Sequence, residues 1–448
     1  MDVKRLRDSK EDRIGRRVSR TNKLWVDKGE LAKLDNIGMG IGTCIDVLER
    51  LMLPGCCDLT EGELGTNAVL TAPLSLEGED SEANNGSPNL LQRIFCLLSS
   101  VQPGSDLIRL QAMCVKRGLP PLFNLPKSQL QCYGESVYCI NTDLLSKCNH
   151  GESPLDRIIS VIAWSISTLR PLTFGLAPYN PVLGETHHVS RGTLNVLLEQ
   201  VSHHPPVTAL HATDEKASIE LIWCHSPIPK FCGTHIETEV HGVRQLNLLD
   251  KNETYAMNSP KLVIRFLPVP GVEWLGNTII RCKETGLEAE LCYRGSSYFP
   301  RRSIHRSIKG KIFQSSLSQT IYEINGHWDR AVTIKDVSNE RVTTIYNANE
   351  VLSGLKTPVV EDPKDVLPSE SAVIWAQVSQ AILQKCWEKA RKAKTVVEEK
   401  QREVAKERKL KDENWVPKHF TVSHSKENGW ECLPNVKLVP PAPIVVTP

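Results

Sequence analysis

The sequence predicts an α+β fold in which helices precede and follow a large antiparallel, barrel-like sheet. Three observations predict it. From about residue 190 to 350 apolar residues recur with a period of 2, in short runs at 194–198, 218–224, 261–266, 287–293, 320–324 and 331–334. Gly, Pro, Asn and Asp separate these runs. Residues 89–101 and 153–170 instead carry apolar side chains at helical spacing. Residues 369–410 contain neither Pro nor Gly and are rich in Ala, Lys, Glu and Arg. A sheet of so many strands must close on itself or be covered to hide its edges.

In chain order, the first 30 residues mix basic and acidic side chains with little apolar content, residues 1–65 look unlike the rest, and 1–87 reads as a variable, largely flexible extension. Gly38, Gly40 and Gly42 lie here, but they follow no strand and do not match a dinucleotide loop. The polar stretch 77–88 is a linker by composition. Residues 89–101 form an amphipathic helix with Leu90, Ile94, Leu97 and Leu98 on one face. That face either packs on the protein's own core or covers a ligand. The second helix, 153–170, is apolar enough to be buried. The helical part at 369–410 allows a break, with apolar residues in its first half and charges in its second. The Pro-rich end is extended.

Composition narrows the function classes. The 448 residues include 54 Lys plus Arg against 52 Asp plus Glu, so no bulk basicity marks a nucleic-acid partner. The longest apolar stretch, 158–166, falls well short of the roughly 20 residues a membrane-spanning helix needs. The charged N-terminus does not read as a secretory signal. Fourteen scattered cysteines include no C-x-x-C, which points to reduced thiols in the cytoplasm rather than a disulfide framework.

The most informative string is Glu199-Gln200-Val201-Ser202-His203-His204-Pro205-Pro206. The paired prolines end a strand abruptly and hold both imidazoles at a corner. Imidazole N–H groups there can donate to one anionic object, and a nearby phosphate favours their charged form. Other readings stay open: a metal site that also draws on His187 and His188, a catalytic base beside Ser202, or structural histidines at a turn.

The unbroken EQVSHHPP resembles the signature of the oxysterol-binding-protein-related family of lipid-transfer proteins. Four further segments agree in order: FNLPKSQLQ at 123–131, NPVLGE at 180–185, the string from Lys394 through Arg402, and WVPKHF at 415–420. The chain is most similar to short plant members without a pleckstrin-homology region. The resemblance implies an incomplete antiparallel β-barrel around a lipid tunnel, spanning 88–445, with a lid at 89–118 that includes Leu90, Ile94, Leu97 and Leu98. It implies a sterol or phosphatidylinositol 4-phosphate as ligand, exchanged between membranes, with no covalent chemistry, no metal and no cofactor. Transient membrane contact, endoplasmic-reticulum receptor proteins and membrane contact sites follow from the same resemblance. A lipid sensor that signals to protein partners is the alternative.

The family's headgroup residues map onto His203, His204, Lys394, Glu398, Arg402 and Asn180. Spacing of four puts Lys394, Glu398 and Arg402 on one helix face, where Glu398 can pair with both cations. Two positions depart from the pattern. Ala177 stands where the family usually has a phosphate-contacting Lys, a loss worth on the order of 1.5–3 kcal/mol for a buried contact. Residues 112–118 interpose a stretch beside the lid. A basic cluster, Arg301, Arg302, His305, Arg306, Lys309 and Lys311, is either a membrane-facing patch or a solubilising loop.

Overall fold

Strict alternation builds the barrel wall. In the strand Leu287–Arg294, residues 287, 289, 291 and 293 are buried while 288, 290, 292 and 294 face outward. The computed structural model describes residues 68–76, 120–232, 234–266, 270–295, 306–316, 319–425 and 429–447. The proposed lid helix with Leu90, Ile94, Leu97 and Leu98, the 1–65 extension, the 77–88 linker, the 112–118 stretch and Arg301, Arg302 and His305 lie outside them.

The FNLPKSQLQ segment opens the described core. Its strand β1 (Asn124–Ser128) runs straight into helix α1 (Gln129–Tyr138), which Ser128 and Gln131 close with a capping box. Helix α2 (Leu144–His150) leads to α3 (Pro154–Ser167), capped by Ser153 with Asp156 and opened by Pro154. The short strand β2 (Ala177–Tyr179) pairs in parallel with β1. The wall follows: β3 (Thr186–Arg191), β4 (Leu194–His203), β5 (Pro206–Asp214), β6 (Ile219–Phe231), β7 (His235–His241), β8 (Arg244–Leu248) and β9 (Glu253–Met257). It continues through β10 (Lys261–Arg265), β11 (Gly271–Cys282), β12 (Leu287–Arg294), β13 (Ser307–Gln314), β14 (Thr320–His327), β15 (Ala331–Asp336) and β16 (Val342–Asn347). After α4 (Ala348–Leu352) come β17 (Val359–Val360), α5 (Ser371–Ile374), α6 (Ala376–Leu383) and α7 (Trp387–Leu410). The hairpin β18 (Phe420–Ser425)–β19 (Gly429–Pro434) and the strand β20 (Ile444–Val445) finish the fold.

Sixteen strands form one sheet: fourteen follow the order β16-β15-β14-β13-β12-β11-β10-β7-β6-β5-β4-β3-β20-β17, and β8 and β9 lie off this path. The sheet also branches. Residues 219–223 of β6 pair with β8, and 226–231 pair with β7. Likewise β11 pairs through 271–275 with β10 and through 280–282 with β9. These pairings close a ring within a path whose ends, β16 and β17, stay apart, so the barrel is incomplete. Nearly every pair is antiparallel; β20 joins β3 in parallel. The predicted strand runs are all present and mostly longer than their apolar stretches, because polar outward positions continue them.

Helix α1 packs against β3 and β4, and α3 against β12 and β16, so both lie against the barrel wall. Their buried faces share one core with the inward residues of the sheet, from Val189 and Leu198 to Ile312 and Val332. The helical part predicted at 369–410 is three helices. Its break falls at residues 384–386, where Lys385 takes φ 58°. No described helix is long and apolar enough to cross a membrane.

Candidate functional site

The β4–β5 hairpin delivers the two histidines. β4 ends at His203, the His204–Pro205 peptide is cis, and β5 starts at Pro206. The rings stand edge to face, 4.6 Å apart. His203 is half-buried and His204 exposed. His203 Nδ1 lies 2.9 Å from the carbonyl of Pro181, which can only accept, so Nδ1 carries the proton. Nε2 is then the atom left to turn toward a ligand. Burial first, and the neighbouring His204 second, push the His203 pKa down; the Pro181 carbonyl partly offsets them.

The second half of the site is α7. Lys394 Nζ is 3.4 Å from Glu398, and Arg402 Nη2 is 3.4 Å from the other oxygen of the same carboxylate. Glu398 therefore braces both cations, as the spacing predicts. Lys394 is buried to 7% exposure, far from a solvated helix face, whereas Arg402 is exposed. Burial lowers the Lys394 pKa against the opposing pull of Glu398.

One short segment joins the halves. Tyr179 and Val182 pack in a single apolar cluster with Trp375, Ile382, Ala390, Ala393 and Val397. Tyr179 stacks on Trp375 with ring centres 4.5 Å apart. Pro181, one of the two residues between Tyr179 and Val182, holds His203 through its carbonyl. The helix that carries Lys394 and the histidine corner thus meet the same segment. Asn180, at its tip, is exposed. Ala177, in β2, is half-buried, and its carbonyl accepts from Asn124 Nδ2 at 3.2 Å.

Beneath this turn two buried carboxylates tie the motif segments together. Glu185 accepts from Ser128, from Ser371 Oγ (2.7 Å), from Trp375 Nε1 (2.9 Å) and from the amide of Val182 (2.9 Å). Burial raises its pKa despite those donors. Glu199 accepts the amides of Lys418 and His419, each at 2.9 Å. Much of the signature is therefore scaffold: it holds FNLPKSQLQ, NPVLGE, EQVSHHPP and WVPKHF against one another. The sequence reading gave no role to Glu185, Glu199, Ser128 or Trp375. An acidic residue inside an apolar strand was the available signal for Glu199, whereas Glu185 stands just before β3, outside that pattern.

The other histidine pair is structural. His187 lies between Glu370 (2.6 Å) and Tyr138 (2.8 Å), and His188 Nε2 reaches the Pro440 carbonyl at 2.8 Å. The described part of the basic cluster is partly neutralised, Arg306 by Asp329 and Lys311 by Glu290. Among the described residues, one group has metal-ligand chemistry: Cys232, His235 and Glu237 at the β6–β7 turn, with Lys261 Nζ 3.8 Å from Glu237.

Comparison with known proteins identifies the class. The family model described as oxysterol-binding protein matches residues 114–437, and the chain belongs to that family. It is 50% identical over 392 residues to oxysterol-binding protein-related protein 4B of Arabidopsis thaliana, covering 87% of this chain and 100% of that one. Protein 4A of the same plant is 48% identical over 391 residues, with 86% and 99% covered. Among solved structures, the Osh1 ORD domain in complex with cholesterol aligns with a TM-score of 0.63 at 21% identity, covering 82% of this chain and 90% of that one. The Osh3 ORD in complex with PI(4)P from Saccharomyces cerevisiae gives 0.57 at 20%, with 85% and 96% covered.

Proposed function

We propose that this chain binds a lipid and carries it between membranes, taking a sterol, phosphatidylinositol 4-phosphate or both, with no covalent bond made or broken. The observation that carries the reading is the segment 179–182: the Pro181 carbonyl holds His203, and Tyr179 and Val182 pack on the helix that carries Lys394, Glu398 and Arg402. A phosphorylated inositol headgroup meets ammonium and guanidinium donors there, and its negative charge favours the doubly protonated form of His203, in which Nε2 also donates. Charge-assisted hydrogen bonds of this kind are about twice as strong as neutral ones. Two solved relatives of the fold, crystallised with cholesterol and with PI(4)P, support the choice of guests. The lipid-binding domain spans about 88–445, with 1–87 as an extension and 89–118 as its lid. The protein works in the cytoplasm and touches membranes transiently.

Donor and acceptor liposomes test the proposal. Purified protein should move dehydroergosterol or phosphatidylinositol 4-phosphate from donor to acceptor vesicles and return the lipid chemically unchanged. Binding without net transfer would favour a lipid sensor, and a modified lipid would favour an enzyme.

A further inference from the structure

Three arginines are buried among the described residues: Arg157, Arg170 and Arg244. Arg157 is answered by a carboxylate, and Arg170 in part by backbone carbonyls, with its Nε and Nη1 left without partners. Arg157 donates to the carboxylate of Glu253, Nε to Oε2 at 2.8 Å. Arg170 gives Nη2 to the carbonyls of Glu135 and Cys139, at 2.8 and 2.6 Å. Arg244 has no carboxylate beside it among the described residues. Its guanidinium bonds Thr168 Oγ1 at 3.1 Å, and its Nε has no partner.

The backbone aims this side chain inward. β8 alternates, so Arg244 shares the buried face with Leu246 and Leu248, while Gln245 and Asn247 point the other way. The preceding turn is tight: Gly242 has φ 109°, and a Cβ there would stand 1.8 Å from the Cys224 carbonyl oxygen. The guanidinium lies 4.3 Å from the Trp223 ring centre and 5.5 Å from that of Trp164. His225 stacks on Trp223 at 5.2 Å. The indole nitrogens of both tryptophans and Nε2 of His225 are buried and also without partners. Burial pushes Arg244 down to about 10, which leaves it charged at neutral pH, and burial together with Arg244 pushes His225 down to about 3, which leaves it neutral.

A buried cation flanked by unpaired donors is costly unless something accepts from it. Stacking on two indoles offsets only part of that cost. We propose that Arg244, Trp164, Trp223 and His225 form an interior subsite for a carboxylate on an otherwise apolar guest, so that the barrel accepts long-chain or sterol acids. The planar fork of a guanidinium matches a carboxylate in two parallel hydrogen bonds. A phosphate with two charges would exceed this single cation, and a neutral hydroxyl would leave it uncompensated. The proposal rests on the lipid-carrier reading and refines which guests that carrier takes.

The experiment uses the full chain and tryptophan fluorescence, since two reporters lie in the cluster. Hexadecanoate, hexadecanol, cholesterol and a cholanic acid are titrated separately. Both acids should bind about tenfold or more tightly than the alcohol of matching skeleton. A preference in only one skeleton decides between a fatty and a sterol source. Arg244→Met should bring the acid-to-alcohol ratio close to one, and Arg244→Lys should restore part of it. Circular dichroism confirms that each variant is folded. Should Arg244→Met not fold, Trp164→Phe keeps an aromatic ring but trades the indole and its N–H for a smaller phenyl, and should still lower the ratio. Equal binding of acid and alcohol by the natural protein overturns the proposal, as does a ratio unchanged in Arg244→Met or, where that variant does not fold, in Trp164→Phe. Cholesterol binding without any acid preference leaves the carrier reading standing; binding of none of the four lipids removes both.

Discussion

The indole of Trp415 lies directly over Gly184, where a Cβ would stand 2.6 Å from the ring. Gly184 also holds φ 79°, a conformation that side chains disfavour. The contact locks the NPVLGE turn to the C-terminal segment. Gly184→Ala should cost on the order of 2–4 kcal/mol from strain and overpacking together. Thermal unfolding should move down by several degrees. An unchanged midpoint would show that the contact is dispensable.

Glu199 makes the other tie, accepting two amides of the 415–420 segment. Glu199→Gln replaces one accepting oxygen with a donor, so one amide faces an N–H instead. The expected loss is about 1.5–3 kcal/mol, carried mostly by the C-terminal segment. Hydrogen exchange at Lys418 and His419 should accelerate while strands β12 and β13 stay protected. Uniform acceleration along the chain would contradict the local assignment.

Three imidazoles have pKa values pushed below the ordinary 6.5, chiefly by burial: His188, His203 and His225. Between 6.5 and their folded values the unfolded chain binds more protons than the native one, so stability rises with pH there. The contribution is complete above about 6.5 and is lost as pH falls toward the folded values, about 3 for His225. Unfolding temperature should drop between pH 7 and pH 5. His225→Gln should flatten that slope, and an unaltered slope would assign it to other groups.

The fold was legible where pattern and periodicity coincide. β12 alternates apolar residues with outward Glu288, Glu290 and Arg294, interrupted only by Cys292, so the sequence marks it plainly. The branching at β6 and β11 was not legible, because which half of a long strand pairs with which neighbour depends on twist and not on local composition. At the site, Lys394, Glu398 and Arg402 share a face because their spacing dictates it. The burial of Lys394 was not legible: its helix packs on residues 121–123 and, through Ala390, Ala393 and Val397, in one cluster with Tyr179 and Val182, segments about two hundred residues or more away along the chain. Arg244 left a trace in the alternation of Arg244, Leu246 and Leu248, which places a charge on an apolar face.

The bracing role of Glu398 separates two kinds of loss on α7. Removing it by Glu398→Ala takes away the carboxylate 3.4 Å from Lys394, a side chain only 7% exposed. The Lys394 pKa should then fall further, since Glu398 is the group that raises it. Phosphatidylinositol 4-phosphate extraction should weaken about tenfold or more, with a steeper fall on raising pH than in the natural protein. His203→Ala with His204→Ala should abolish that extraction and leave sterol uptake intact. Equal loss of both lipids would report misfolding.

Ala177 offers the most direct gain-of-function test. It sits in β2 two residues before Tyr179, on the strand that leads into the turn holding His203. Its carbonyl, not its side chain, makes the bond to Asn124, so a longer side chain leaves that pairing intact. Ala177→Lys adds an ammonium group near the proposed phosphate position. A charge-assisted contact there is worth about 1.5–3 kcal/mol, or roughly ten- to a hundredfold in affinity. Phosphatidylinositol 4-phosphate binding should tighten by that range while sterol binding holds constant, and the gain should shrink at high salt in proportion to the lysine's exposure. No change at either salt concentration would place the phosphate away from β2 and move the headgroup site off the turn.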